Sequence, residues 1–158
     1  MLQQFESGSR AACARIITLI ENDEPEGVDI LSRVYSRVGK AHRIGVTGPP
    51  GAGKSTFVEK LAASFRKGGR SLAVIAVDPT SPFSGGAILG DRIRMSSLFT
   101  DPDVFIRSMA TRGSLGGLAL KTKEVCALLD AFGKDIILIE TVGVGQAELD
   151  VAQAAHTT

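Results

Sequence analysis

Short continuous apolar runs alternate along the chain with stretches in which apolar residues recur every three or four positions. The runs fall at 42–47, 71–77, 104–109 and 135–139. Apolarity that is continuous rather than alternating suits strands covered on both faces, the condition of a parallel sheet. Between them, Phe57, Val58, Leu61, Ala62 and Phe65 keep helical spacing until Gly68-Gly69 stops them. A further helix is expected to begin within 87–95 and run to about Leu98, and another to span Leu118–Phe132 and close at Gly133. Ahead of the first strand, Phe5, Ala12, Ile16, Leu19 and Ile20 predict an amphipathic helix ending near Asn22-Asp23-Glu24-Pro25. A second, over about 27–38, would turn Val28, Leu31, Val34 and Tyr35 to one side. The pattern predicts an α/β fold with a mostly parallel sheet. It divides into a helical extension over 1–40 and an α/β domain over 41–158.

The first strand runs into Gly48-Pro49-Pro50-Gly51-Ala52-Gly53-Lys54-Ser55-Thr56. Gly48 through Ser55 match the phosphate-binding pattern G-x-x-x-x-G-K-[ST], in the required order of strand, glycine loop and helix. A loop wrapped around a polyphosphate must aim backbone N–H groups inward, and bulky side chains would block that approach. Pro49 and Pro50 have no N–H and stiffen the loop's first half. The donors are therefore expected from Gly51 onward, through Ala52 and Gly53 into the helix N-terminus. Lys54 would meet the β- and γ-phosphates, and the Ser55 hydroxyl would ligate Mg²⁺.

Two acids stand at strand ends. Asp78 closes the second run, at the edge where open α/β sheets bind ligands. Glu140 closes the fourth, where a carboxylate after an apolar run serves Mg²⁺ directly or through water. Gly143 then stands three residues on, placed to offer its N–H to a γ-phosphate.

Composition narrows the alternatives. The chain has 158 residues, 44% of them hydrophobic and 22% charged, enough for one domain with a sizeable core. A formal charge of +1 argues against an extensive nucleic-acid surface. Cys13 and Cys126 each lie within an apolar helical pattern and read as buried thiols of a reducing compartment. Two histidines make no zinc site, and no apolar run reaches membrane-spanning length. The N-terminus resembles neither a signal peptide nor a mitochondrial presequence.

Together, residues 48–56, 77–79, 85–95, 108–113 and 140–146, with a leading helix over 14–21, resemble the MeaB/ArgK family of P-loop GTPases. The resemblance implies a sheet of the signal-recognition and nickel-enzyme GTPase class. It also implies a cytoplasmic, Mg²⁺-dependent GTPase acting as chaperone for an adenosylcobalamin-dependent acyl-CoA mutase such as methylmalonyl-CoA mutase. Relatives are homodimers, and an older family label makes them kinases or ATPases of a lysine/arginine/ornithine transport system. By resemblance Asp78, Asp91 and Glu140 would surround the metal and the attacking water, with 80–90 as a switch. Asp91 is the candidate for orienting the water, ahead of Gln146 and Arg92; Arg112 is as readily structural as catalytic. Small Ras-like G proteins carry a water-orienting Gln where this chain has Val144, so slow intrinsic turnover is expected. The family's guanine-reading Asn-Lys-x-Asp is missing, so the chain reads as C-terminally truncated. A small-molecule kinase and an inactive nucleotide-binding fragment are the rival readings.

Overall fold

The computed structural model describes residues 1–78, 96–110, 117–141 and 147–158, with the side chains of 78, 96, 97, 110, 117, 118 and 147 left aside. Helices α1 (Leu2–Glu6), α2 (Arg10–Glu21) and α3 (Pro25–Val34) precede a 3₁₀ turn, Tyr35–Arg37. There follow β1 (His42–Val46), α4 (Lys54–Lys67), β2 (Leu72–Asp78), α5 (Ser96–Phe99) and β3 (Val104–Ala110). The chain continues through α6 (Gly117–Ala131), β4 (Ile136–Thr141) and α7 (Ala147–Ala154).

The four strands form one parallel sheet in the order β1-β4-β2-β3. Every residue of β4 is buried, so its Ile136-Ile137-Leu138-Ile139 run feeds both faces. Full burial of such side chains stabilises the fold by roughly 1.5–3 kcal/mol each. On one face Leu72, Val74, Val104, Ile136 and Leu138 pack with Val58 and Ala62 of α4. On the other, Ala73, Ile75, Val77, Phe105, Ile137 and Ile139 share a core with the N-terminal helices, α6 and α7. The N-terminal helices thus bury their apolar faces on the sheet's own core.

The first expected helix is two. Gly8 takes φ +84°, and the Ser9 hydroxyl accepts the Ala12 N–H, starting α2 afresh. The second helix stops at Val34, and its buried face is Gly27, Ile30 and Val34; Val28 and Tyr35 are exposed instead. Gly27 explains the choice. A Cβ there would come within 2.9 Å of the Leu19 and Ile20 backbone, so only glycine lets α3 lie this close to α2. Phe57, expected on the inner side of α4, is also exposed. Of the helix expected over 87–98, only Ser96–Phe99 falls among the described residues.

A buried carboxylate fastens the link between the helices and β1. Asp130, on α6, accepts the N–H groups of Gly39, Lys40 and Ala41 at 2.8, 3.2 and 3.1 Å. Asp130→Ala orphans these donors, at least one of them buried. It is expected to cost about 3 kcal/mol, read as a lower urea midpoint with unchanged slope.

Cys13 and Cys126 are buried in α2 and α6 as free thiols. Desolvation raises each pKa from 9.0 to about 12. Above pH 9 an unfolded thiol loses its proton while the folded one keeps it. Stability should therefore fall as pH rises from 9 towards 12, and both thiols should resist alkylation at pH 8 until urea unfolds the chain.

Candidate nucleotide-binding site

Strand pairing brings the phosphate loop and the second acid to one level of the sheet. Val46, the last residue of β1, is in register with Glu140. Across β4, Ala76 is the partner of Glu140, so β2 extends two residues further, to Asp78, along the same C-terminal edge. Glu140 lies within β4 rather than after it, which runs on to Thr141. Alternation along β4 then turns Glu140, with Ile136 and Leu138, to the face carrying α4.

The loop itself depends on its glycines. Gly48, Gly51 and Gly53 take φ of +131°, +77° and +85°, a region where side-chain-bearing residues are strained. No described atom lies within 4 Å of the place a Cβ would occupy at any of the three. The backbone conformation, rather than crowding, demands glycine here. Gly53 is the N-cap of α4, and the helical ladder starts with the Phe57 N–H on the Gly53 carbonyl at 2.9 Å. The amides of Lys54, Ser55 and Thr56 precede that first bond, at the positive end of the helix dipole. One expected donor is engaged inside the loop: the Ala52 N–H meets the Pro49 carbonyl at 3.3 Å.

Lys54 is nearly buried, 9% exposed. Its ammonium donates to the carbonyls of Gly48 at 2.7 Å and Pro49 at 2.9 Å. The one strong cation of the loop therefore spans the space the loop encloses. One residue on, the Ser55 hydroxyl donates to Glu140 Oε1 at 2.5 Å. A hydroxyl and a carboxylate, 85 residues apart in sequence, thus meet beside the loop. Oxygen donors of this kind suit Mg²⁺, which takes hard oxygen ligands and usually few from protein. The pair fits the expected metal.

The structure accordingly brings together Gly48, Gly51, Ala52, Gly53, Lys54, Ser55, Thr56 and Glu140. Asp78 is placed by its backbone alone. Asp91 and Gly143, with Arg92, Arg112, Val144 and Gln146, lie outside the described residues.

Sequence reasoning missed how the chain returns to β1 after α7. The His156 and Thr157 N–H groups donate to the Arg43 carbonyl at 2.9 and 3.2 Å, and the Gly45 N–H donates to the Thr157 carbonyl at 2.8 Å. The Arg43 N–H donates to His156 Nδ1 at 3.2 Å. The His42 and His156 rings lie against each other at a tilt of 44°, with centroids 5.5 Å apart. The signal for this was a glycine, Gly45, inside an apolar strand, which commonly marks close approach of another segment.

Comparison with known proteins places this geometry. Residues 13–158 match the family described as methylmalonyl-CoA mutase-associated GTPase MeaB. A Pyrococcus abyssi protein provisionally named a GTPase is 56% identical over 157 residues, covering 99% of this chain and 48% of its own length. GTPase ArgK of Escherichia coli is 42% identical, covering 96% of this chain and 47% of its own. The mitochondrial methylmalonic aciduria type A homolog of Caenorhabditis briggsae is 41% identical, with 96% and 40% covered. Among solved structures, a LAO/AO transport system kinase superposes with TM-score 0.73 at 34% identity, covering 96% of this chain and 45% of that one. FtsY from Mycoplasma mycoides, at TM-score 0.51 and 16% identity, shares the fold. The chain spans about half the length of the curated relatives it matches. Among the described residues no helix is long and apolar enough to cross a membrane. The fold is that of a P-loop nucleotide-binding protein, and the chain belongs to the MeaB family of methylmalonyl-CoA mutase-associated GTPases.

Proposed function

We propose that this chain binds and hydrolyses GTP with Mg²⁺, in the service of an adenosylcobalamin-dependent acyl-CoA mutase. The observation that carries the reading is the convergence of Lys54, Ser55 and Glu140 on one loop mouth, with Ser55 on Glu140 at 2.5 Å. Names of relatives add the base and the partner: several are GTPases, and the matching family is described as mutase-associated.

In this reading the triphosphate draws Lys54 off the Gly48 and Pro49 carbonyls and onto the β- and γ-phosphates. Amides from Gly53 into the first turn of α4 bind the same oxygens, and their orientation is fixed before substrate arrives. Ser55 and Glu140 would hold Mg²⁺, with Asp78 and Asp91 as further proposed ligands. The ion, when bound, neutralises charge on the phosphate oxygens. Lys54 does the same from the loop side, so the γ-phosphoryl group becomes a better target for water. Asp91 is our choice for orienting that water, and the Gly143 N–H for the γ-phosphate. Val144 offers no polar group, so turnover should be slow until a partner orders the site. Homodimerisation and a two-part organisation, 1–40 and 41–158, belong to the same proposal.

The structural likeness to a protein named as a transport-system kinase keeps phosphoryl transfer to a metabolite as the second reading. Incubation with γ-labelled GTP and Mg²⁺ separates the two. Label released as inorganic phosphate supports hydrolysis; label recovered on a small molecule would replace it with kinase chemistry.

A further inference from the structure

Helix α7 lies directly on the strand that feeds the phosphate loop, and it does so through a missing side chain. Gly45 is buried in β1, one residue before Val46 and three before Gly48. A Cβ built there would stand 2.9 Å from Val151 Cγ1 and 3.2 Å from the Ala155 Cβ. The first distance is one that real Cβ atoms essentially never show, and Val151 is fully buried and β-branched, with few rotamers to turn to. Past α7 the chain is clasped to β1 by hydrogen bonds at Arg43 and at Gly45 itself. The far end of α7 is thereby held in register with β1. Its near end is joined to Thr141, beside Glu140, by only five residues, 142–146.

Two segments bearing on the proposed reaction are tied at this contact: the strand leading to Gly48, and the helix whose start follows β4 and its Glu140. We propose that Gly45 is a positioning residue for phosphoryl chemistry: its lack of a side chain docks α7 on β1 and so fixes the strand that carries the phosphate loop. The proposal rests on the GTPase reading for its chemistry, though the docking itself is independent of it. Gly45 touches no substrate and acts through Val46–Gly48 on one side and Val151 on the other. A displacement of about 1 Å at a reacting group can cost on the order of 100-fold in rate, so a Cβ wedge at this level is large enough to be read.

The test uses three variants: Gly45→Ala, Val151→Ala and the double substitution. Gly45→Ala is expected to lower kcat for GTP about 10- to 100-fold while leaving the Kd for GDP within about threefold. Hydrogen exchange of the α7 amides should quicken in the same variant. Removing Cγ1 with Val151→Ala in the Gly45→Ala background should bring both back toward the parent, and kinetics taken well below the melting temperature of each variant keep this rescue apart from a general recovery of stability. Should Gly45→Ala fail to fold, His156→Ala reads the same contact from an exposed position: the clasp loses the acceptor for the Arg43 N–H, and kcat should again fall with GDP affinity kept. A folded Gly45→Ala protein with parental kcat would overturn the proposal. So would a parallel loss of kcat and GDP affinity, or a double variant no better than the single. Absence of GTP turnover in the parent protein would strike the GTPase reading instead, and the docking would then be judged on α7 exchange alone.

Discussion

Lys54→Ala is expected to lower GTP hydrolysis by about 100- to 1000-fold, the loss that follows removal of one preorganised charge donor from a developing oxyanion. The ammonium is the only side-chain cation donating to the loop carbonyls among the described residues. It is also 9% exposed, so its charge acts where water screens it least. Arginine should not restore the rate, because a planar fork does not fit a slot shaped for a compact ammonium on a flexible stem. The fold should survive the change, since among the described residues Lys54 bonds only to carbonyls of its own loop. Steady-state kinetics with a thermal melt checks both halves: a large fall in kcat with a nearly unchanged Tm. Hydrolysis equal to that of the parent would show that the measured activity belongs to another site.

Glu140→Ala is the second large effect, and its signature is the metal. The carboxylate meets the Ser55 hydroxyl at the level of Val46, where the proposed ion would sit. Removing it should cost about 2–4 kcal/mol of charge stabilisation, roughly 30- to 1000-fold in rate. It should also flatten the dependence of GTP affinity on Mg²⁺, so that titrations with the metal and with a chelator converge. The variant also loses the hydrogen bond from Ser55, so a thermal melt run beside the kinetics separates any cost to folding from the loss of metal dependence. Ser55→Ala should reproduce the loss of metal dependence in milder form. Retained Mg²⁺ dependence in both variants would place the ion elsewhere.

The parallel sheet was legible because its strands are continuous apolar runs of the right length, and 72–78, 104–110 and 136–141 lie within a residue or two of the expected bounds. The phosphate loop was legible for a different reason: its glycines are required by backbone conformation, and that requirement survives in any structural setting. What periodicity could not supply was the choice of face in α3. Val28 is nearly as apolar as Ile30, and the decision fell to Gly27, whose contact with α2 is a tertiary matter. Asp130 was hidden likewise. An acid near the end of a helix reads as a surface position until the three amides that donate to it are seen. Gly45 looked like an ordinary small residue in a strand, because the helix that needs its absence of bulk arrives a hundred residues later. Glu140 was singled out as a strand-end acid, but its contact with Ser55 arises only through the β1–β4 pairing.

The central claim is that a triphosphate and its metal are held between the phosphate loop and Glu140. A crystal structure of the protein with Mg²⁺ and a non-hydrolysable GTP analogue tests it most directly. The account predicts Lys54 Nζ moved from the Gly48 and Pro49 carbonyls onto the phosphates, and a metal bound by the Ser55 hydroxyl with Glu140 reaching it directly or through water. Lys54 still seated on those carbonyls, with the phosphates bound away from Gly51–Thr56, would contradict it.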